Sequence, residues 1–222
     1  MCFSATASFS AAVVLTTIGI IAVKKTTHKR QVLFACIPFM FGVQQFAEGI
    51  LWLTIPKQDF FVLQKITTYV YLFFAHVLWP LWVPIAIVLL DKINERTFVQ
   101  KTFVFIGILV SIFSAFCLIN FDVKSTIDGH HINYILGYSA IMSNFWIFLY
   151  ALATIFPPFF SQVKRLWVLG ITILISYLIT QLFYANYTLS VWCFFSSIIS
   201  IMIYYFINNK AKNKNGKTNP KI

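Results

Sequence analysis

A chain of 222 residues that is 59% hydrophobic and only 10% charged lies far from water-soluble domains, in which about a quarter of residues carry charge. The excess of +11 is therefore read against the lipid bilayer rather than as a nucleic-acid footprint, and no nucleic-acid partner is expected. Composition predicts an all-α, polytopic membrane bundle, because only helices or closed barrels satisfy their backbone groups within lipid.

Apolar runs of the length that spans a hydrocarbon core, about 17 to 25 residues, predict helices near residues 7–23, 31–55, 66–90, 98–120, 134–156, 166–184 and 187–208. These make a transmembrane domain of seven helices over residues 1–208, followed by a lysine-rich disordered cytoplasmic tail over 209–222. The first run has no basic residue before it and four after it (Lys24, Lys25, Lys29 and Arg30). A secretory signal has the opposite order, so this helix is expected to be retained. Its small residues Ser4, Ser8, Ala12, Thr16 and Gly19 recur about every four positions, the pattern that lets a second helix approach closely.

The second helix carries Gln44, Gln45, Glu48 and Trp52 at spacings that share about one face. Glu48 is the one acid, and His76 on the third helix the one histidine, inside a predicted span away from its ends. An ionisable group there costs at least about 2.5 kcal/mol and normally has a partner. Counting residues from the helix ends puts Glu48 and His76 about 10 and 15 Å below the same surface, which predicts a direct Glu48–His76 hydrogen bond or ion pair. His76 is followed by Trp79, Pro80, Trp82 and Pro84. Each proline lacks an N–H, so Pro80 is expected to free the carbonyl of His76, and Pro84 that of Pro80, with a kink beside the histidine.

The loop from Phe121 to Asn133 holds Asp128, His130 and His131, is too short to fold alone, and lacks metal-ligand spacing. Further along come Ser139, Ser143 and Asn144, then Tyr177, Thr180 and Gln181, then Ser190 and Cys193, all in the half of the membrane that holds Glu48. The other half is poorer in polar groups. A ligand pocket open to the outside is therefore expected from Gln44, Gln45, Glu48, Trp52, His76, Trp79 and Asn144. The last helix adds a small-residue stripe of Cys193, Ser196, Ser197 and Ser200, a packing surface.

Basic residues set the orientation. The loops after the first, third and fifth helices, together with the five lysines of the tail, hold 14 of the 17 lysines and arginines. Lys57, Lys65 and Lys124 are left for the other side, so the positive-inside rule predicts N-out and C-in. Cys2, Cys36, Cys117 and Cys193 show no CxxC spacing, and neither a disulfide framework nor a zinc ribbon is indicated. There is no visible repeat between the first and last three helices, as a carrier of duplicated halves would have.

The opening Met1-Cys2-Phe3-Ser4-Ala5-Thr6-Ala7-Ser8-Phe9, the stretch Phe41 to Leu53 and the segment from Trp79 to Pro84 carry a resemblance. The sequence resembles an uncharacterised family of bacterial multi-pass membrane proteins that begin with an MCFSATASF-like string. The resemblance implies a multi-helix protein of the bacterial cytoplasmic (inner) membrane and adds weight to Cys2, Glu48 and His76. It implies no activity, cofactor or catalytic residue.

Three functions fit these residues. The first is binding or sensing of a small or lipid-derived ligand in the outer pocket, since apolar walls with a few convergent polar groups suit such ligands. The second is an intramembrane hydrolase or acyltransferase, with Cys2 or Ser4 as nucleophile, His76 as base and Glu48 orienting it. The third is a proton-coupled carrier with Glu48 and His76 as relay. Mid-helix lysine for a retinal Schiff base is missing, as is a second membrane histidine for haem. No cofactor is indicated, and one membrane histidine is too few for a histidine-rich zinc site.

Overall fold

Ser4 starts the first helix from an extended backbone, φ −170 and ψ 162, and its Oγ accepts from the Ala7 N–H. A helix start leaves such donors without a partner, and a serine cap supplies one. The computed structural model describes residues 4–138, 144–183 and 188–217. Helix α1 (Ala5–Lys24) buries Ser8, Ala12 and Gly19 of the expected stripe. It packs on α3 (Ile37–Thr54), which continues from the short α2 (Val32–Ala35) as one span, Lys29–Thr54. Small residues on both sides allow the approach. Gly42 meets Thr16, Gly49 meets Phe9, and a Cβ on Gly19 would lie 2.5 Å from the Phe39 nitrogen.

The third span, Phe61–Leu90, is α4 (Phe61–Leu72), a π-helical turn over Phe73–Leu78, and α5 (Trp79–Leu90). Pro80 acts here one residue away from the expected place. In the turn the Trp79 N–H bonds the Phe74 carbonyl, five residues back. The next acceptor in that register is Ala75 rather than His76, and the residue facing it is Pro80, which has no N–H to give. The Tyr150 hydroxyl donates to the Ala75 carbonyl instead, at 2.6 Å, and the Ser111 hydroxyl donates to that of Val77 at 2.7 Å. The Pro80 carbonyl sits against Gly107 of α6 (Phe98–Asn120), where a Cβ would collide with it.

A second departure is β structure between the fourth and fifth predicted spans. Strands β1 (Val123–Asp128) and β2 (His131–Leu136) form an antiparallel hairpin with Asp128 opposite His131. Gly129 has φ +57, the positive value that a two-residue hairpin turn asks of its first residue. Residues 134–136, expected at the head of the fifth helix, are strand. Their alternation continues from His131, and every second residue has somewhere to be buried. Val123, Ser125, Ile132 and Tyr134 face inward. Ser125 Oγ lies 2.8 Å from Thr68 Oγ1, Gln64 Nε2 donates to the Ser125 carbonyl, and Tyr134 stacks on Tyr71 at 4.5 Å and 4°. The hairpin thus caps one end of the bundle by docking on α4.

Helix α7 is described over Asn144–Ile155, and is followed by α8 (Leu166–Phe183) and α9 (Thr188–Lys217). The last helix runs on into the lysine-rich segment, for which a disordered tail from residue 209 was expected. No Pro or Gly interrupts it before Gly216, so nothing in the local sequence stops it earlier. One apolar core, including Phe34, Ile87, Leu169 and Ile203, fills the end of the bundle where the basic loops lie. Another, including Leu51, Tyr71, Leu118 and Ile132, lies under the hairpin.

Among the described residues five helical stretches are long and apolar enough to cross a membrane: α1, Lys29–Thr54, Phe61–Leu90, α6 and α8. α7 and residues Phe195–Asn209 of α9 are shorter apolar helices. Outward faces are apolar as well, with Val13 67%, Ile112 63% and Leu182 78% exposed. Such surfaces suit lipid and not water.

Candidate functional site

The polar residues of α3 divide between two places. Gln44, 1% exposed, accepts at Oε1 from Trp79 Nε1 at 2.8 Å. Gln45 turns along its own helix, its Nε2 donating to Glu48 Oε2 at 3.1 Å, and both residues are buried. An i, i+3 pair on one helix thus satisfies part of the carboxylate's need for donors.

His76 is buried and takes a different partner from the one expected. Its Nδ1 is 3.0 Å from the Tyr138 hydroxyl, beyond the hairpin, and the predicted Glu48–His76 bond is not formed. The π-helical turn explains the change, since it rotates the residues around His76 relative to the α-helix from which their faces were predicted. Burial pushes the Tyr138 phenol well above the usual tyrosine range, and neighbouring Cys117 and Tyr69 act in the same direction. The phenol therefore keeps its proton and can donate it to the imidazole.

Below Gln44 lies a cavity of about 80 Å³, lined by Gln44, Trp79, Tyr150 and apolar side chains such as Phe34, Ile173 and Ile203. Phe41 packs on the Trp79 ring at 4.1 Å between centroids. One water needs roughly 10 to 15 Å³ of such space, so the cavity has room for a slender molecule and not for a haem or a drug-sized ligand. It runs from mid-bundle toward the lysine-rich end, not in the half toward the hairpin where the pocket was expected. Of the predicted ligand residues, Gln44 and Trp79 line it. Gln44 gives its oxygen to Trp79, and its amide N–H2 has no partner among the described residues.

The remaining candidates do other work or lie elsewhere. Ser4 is the cap of α1, while Cys2, Ser139 and Ser143 fall outside the described residues. Asn144 is exposed at the start of α7, and Trp52 is half-buried with an indole N–H that has no partner among the described residues. The Thr180 hydroxyl donates to the Ser176 carbonyl of its own helix, a local bond that needs no ligand. Asp128 and His130 are exposed at the hairpin tip. Among the described residues no three His, Cys, Asp or Glu side chains gather as a metal site.

Sequence reasoning missed the lysine-rich end. Asp91, 2% exposed, accepts from Gln100 Nε2 at 2.5 Å, Ser161 Oγ at 3.0 Å and the Gln162 N–H at 3.1 Å. An aspartate next to a lysine at a helix end reads as solvated. Its burial depends on a loop 70 residues further along, and no local pattern announces that. Around it opens a larger cleft of about 1060 Å³ between the loops that follow α1, α5 and α7 and the end of α9.

Helix length and outward apolar faces are those that suit a polytopic helical membrane protein. The chain belongs to a family of unknown function (DUF6629), whose model matches residues 1–218. No curated protein and no solved structure matches it.

Proposed function

We propose that this is a seven-span protein of the bacterial cytoplasmic membrane, N-out and C-in, that binds a slender apolar or lipid-derived ligand carrying one hydrogen-bond acceptor. The cavity beside Gln44 is its site, with the Gln44 amide N–H2 as donor. The observation that carries the reading is that amide: a nearly inaccessible donor without a partner, at the rim of an apolar cavity. An unmet buried donor costs roughly 1 to 3 kcal/mol, and a ligand carbonyl or ether oxygen would recover part of that. Seven spans are supported by the five long apolar helices together with α7 and Phe195–Asn209, and the orientation by the basic loops.

The test is to purify the full chain from its membrane, extract it with organic solvent and identify the co-purified molecules by mass spectrometry. Ile173→Phe fills the cavity without touching Gln44. It should deplete the bound compound about tenfold while the melting temperature holds or rises. Identical extracts from both proteins would remove the cavity from consideration. Reporter fusions after Asn209 and within the loop around Lys57 check the orientation, the first expected to report cytoplasm and the second the outside.

A further inference from the structure

We infer that the cleft at the lysine-rich end is a binding site for the headgroup of an anionic phospholipid from the adjoining leaflet, distinct from the cavity beside Gln44. Arg30 comes from the loop after α1, Lys92 from that after α5, and Lys164 and Arg165 from that before α8. Two acids share the cleft, and both are spoken for. Glu95 pairs with Lys92 at 3.2 Å, and Asp91 accepts from Gln100, Ser161 and Gln162. With both acids of the cleft so engaged, Arg30, Lys164 and Arg165 face it without a carboxylate partner among the described residues.

Asp91 explains how these charges are held. Its bonds to Ser161 and Gln162 fasten the loop that presents Lys164 and Arg165, and Arg165 has φ +66. A non-glycine residue in that region costs on the order of 1 kcal/mol and persists only where its surroundings impose it. The consequence is a preset array of cations rather than free surface lysines.

Lipid is favoured over free phosphate on two grounds. A space of about 1060 Å³ is at the upper end of small-molecule pockets, roughly 300 to 1,000 Å³, and far exceeds one phosphate. Its wall on α9 is apolar and aromatic, including Ile201 and Tyr205, which are 58% and 57% exposed. That face continues into the surface that meets lipid, so acyl chains can lie along it while the phosphate sits among the cations. Basic pockets of this kind between membrane helices take anionic headgroups.

The experiment uses the full chain reconstituted with phosphatidylcholine and a minority of phosphatidylglycerol, then extracted in mild detergent, with retained lipids counted by native mass spectrometry. Phosphatidylglycerol should be enriched about tenfold or more over its share of the bilayer. Arg30→Gln/Lys164→Gln/Arg165→Gln should return retention to the bulk ratio, while Lys57→Gln/Lys65→Gln/Lys124→Gln should keep the enrichment. Deleting the chain from Lys210 onward should also keep it, since the tail lysines are not the site. Should the first triple variant fail to fold, Arg165→Gln alone is expected to reduce the enrichment severalfold. No enrichment in the parent protein, enrichment that survives the first triple variant, or enrichment lost with the tail alone overturns the proposal. Displacement of the lipid by millimolar inorganic phosphate would show a soluble anion to be the occupant, and that also overturns it.

Discussion

The Tyr150 hydroxyl lies 2.6 Å from the Ala75 carbonyl oxygen, the acceptor that the π-helical register aligns with Pro80 and so leaves without a backbone donor. Helix α7 is thereby fastened to the middle of the third span at its weakest point. Tyr150→Phe should lower stability by about 1 kcal/mol, the usual scale of a hydrogen bond between membrane helices, measured as a fall in melting temperature in detergent. In a Pro80→Ala background an N–H becomes available and the same change should cost less. Equal costs in both backgrounds would mean that Pro80 is not what leaves the carbonyl open.

Gln44 and Trp79 form a buried donor and acceptor pair at 2.8 Å. Trp79→Phe and Gln44→Leu should each destabilise by about 1 kcal/mol. The double variant should cost less than the two together, because removing both partners strands neither of them. Strict additivity in thermal unfolding would show the bond to be energetically idle.

Tyr138 gives a prediction in pH. Burial raises its folded pKa above the unfolded value, which is about 10, so the folded state holds the proton more tightly. That contribution to stability is complete below about pH 10 and is lost as pH rises from there toward the folded value. The parent protein should lose stability in that alkaline window, and Tyr138→Phe should lose less of it, as followed by unfolding in detergent across pH.

Two glycines should respond differently to alanine. At Gly107 a Cβ meets the Pro80 carbonyl, a backbone atom that cannot move aside, and Gly107→Ala should cost about 1 to 3 kcal/mol or more. At Gly129 the space is open and only the positive φ resists, so Gly129→Ala should cost on the order of 1 kcal/mol. A reversed order in melting temperatures would contradict the close crossing of α5 and α6.

Composition and run length by themselves determined that this is a polytopic helical chain, because apolar stretches of that length have few other solutions. The small residues from Ser8 to Gly19 also pointed correctly to a close helix contact, since i, i+4 spacing fixes a face without knowledge of the partner. The buried positions of Gln44, Glu48 and His76 were legible for the same reason: polar side chains in such runs turn inward.

Their partners were not legible. The α-helical face predicted for His76 was altered by a π-helical turn, and its hydrogen bond went to Tyr138, 62 residues away. The stretch Phe121 to Asn133 reads as a loop, yet Val123–Asp128 and His131–Leu136 pair across the Gly129-His130 turn, and docking on Thr68 and Tyr71 decided the matter. Asp91 looked like an ordinary helix end until Ser161 and Gln162 were brought to it. Sequence determined which stretches leave water, through the free energy of transferring their apolar side chains. Tertiary structure alone decided which of them meet, because those bonds join segments whose relative rotation no local pattern records.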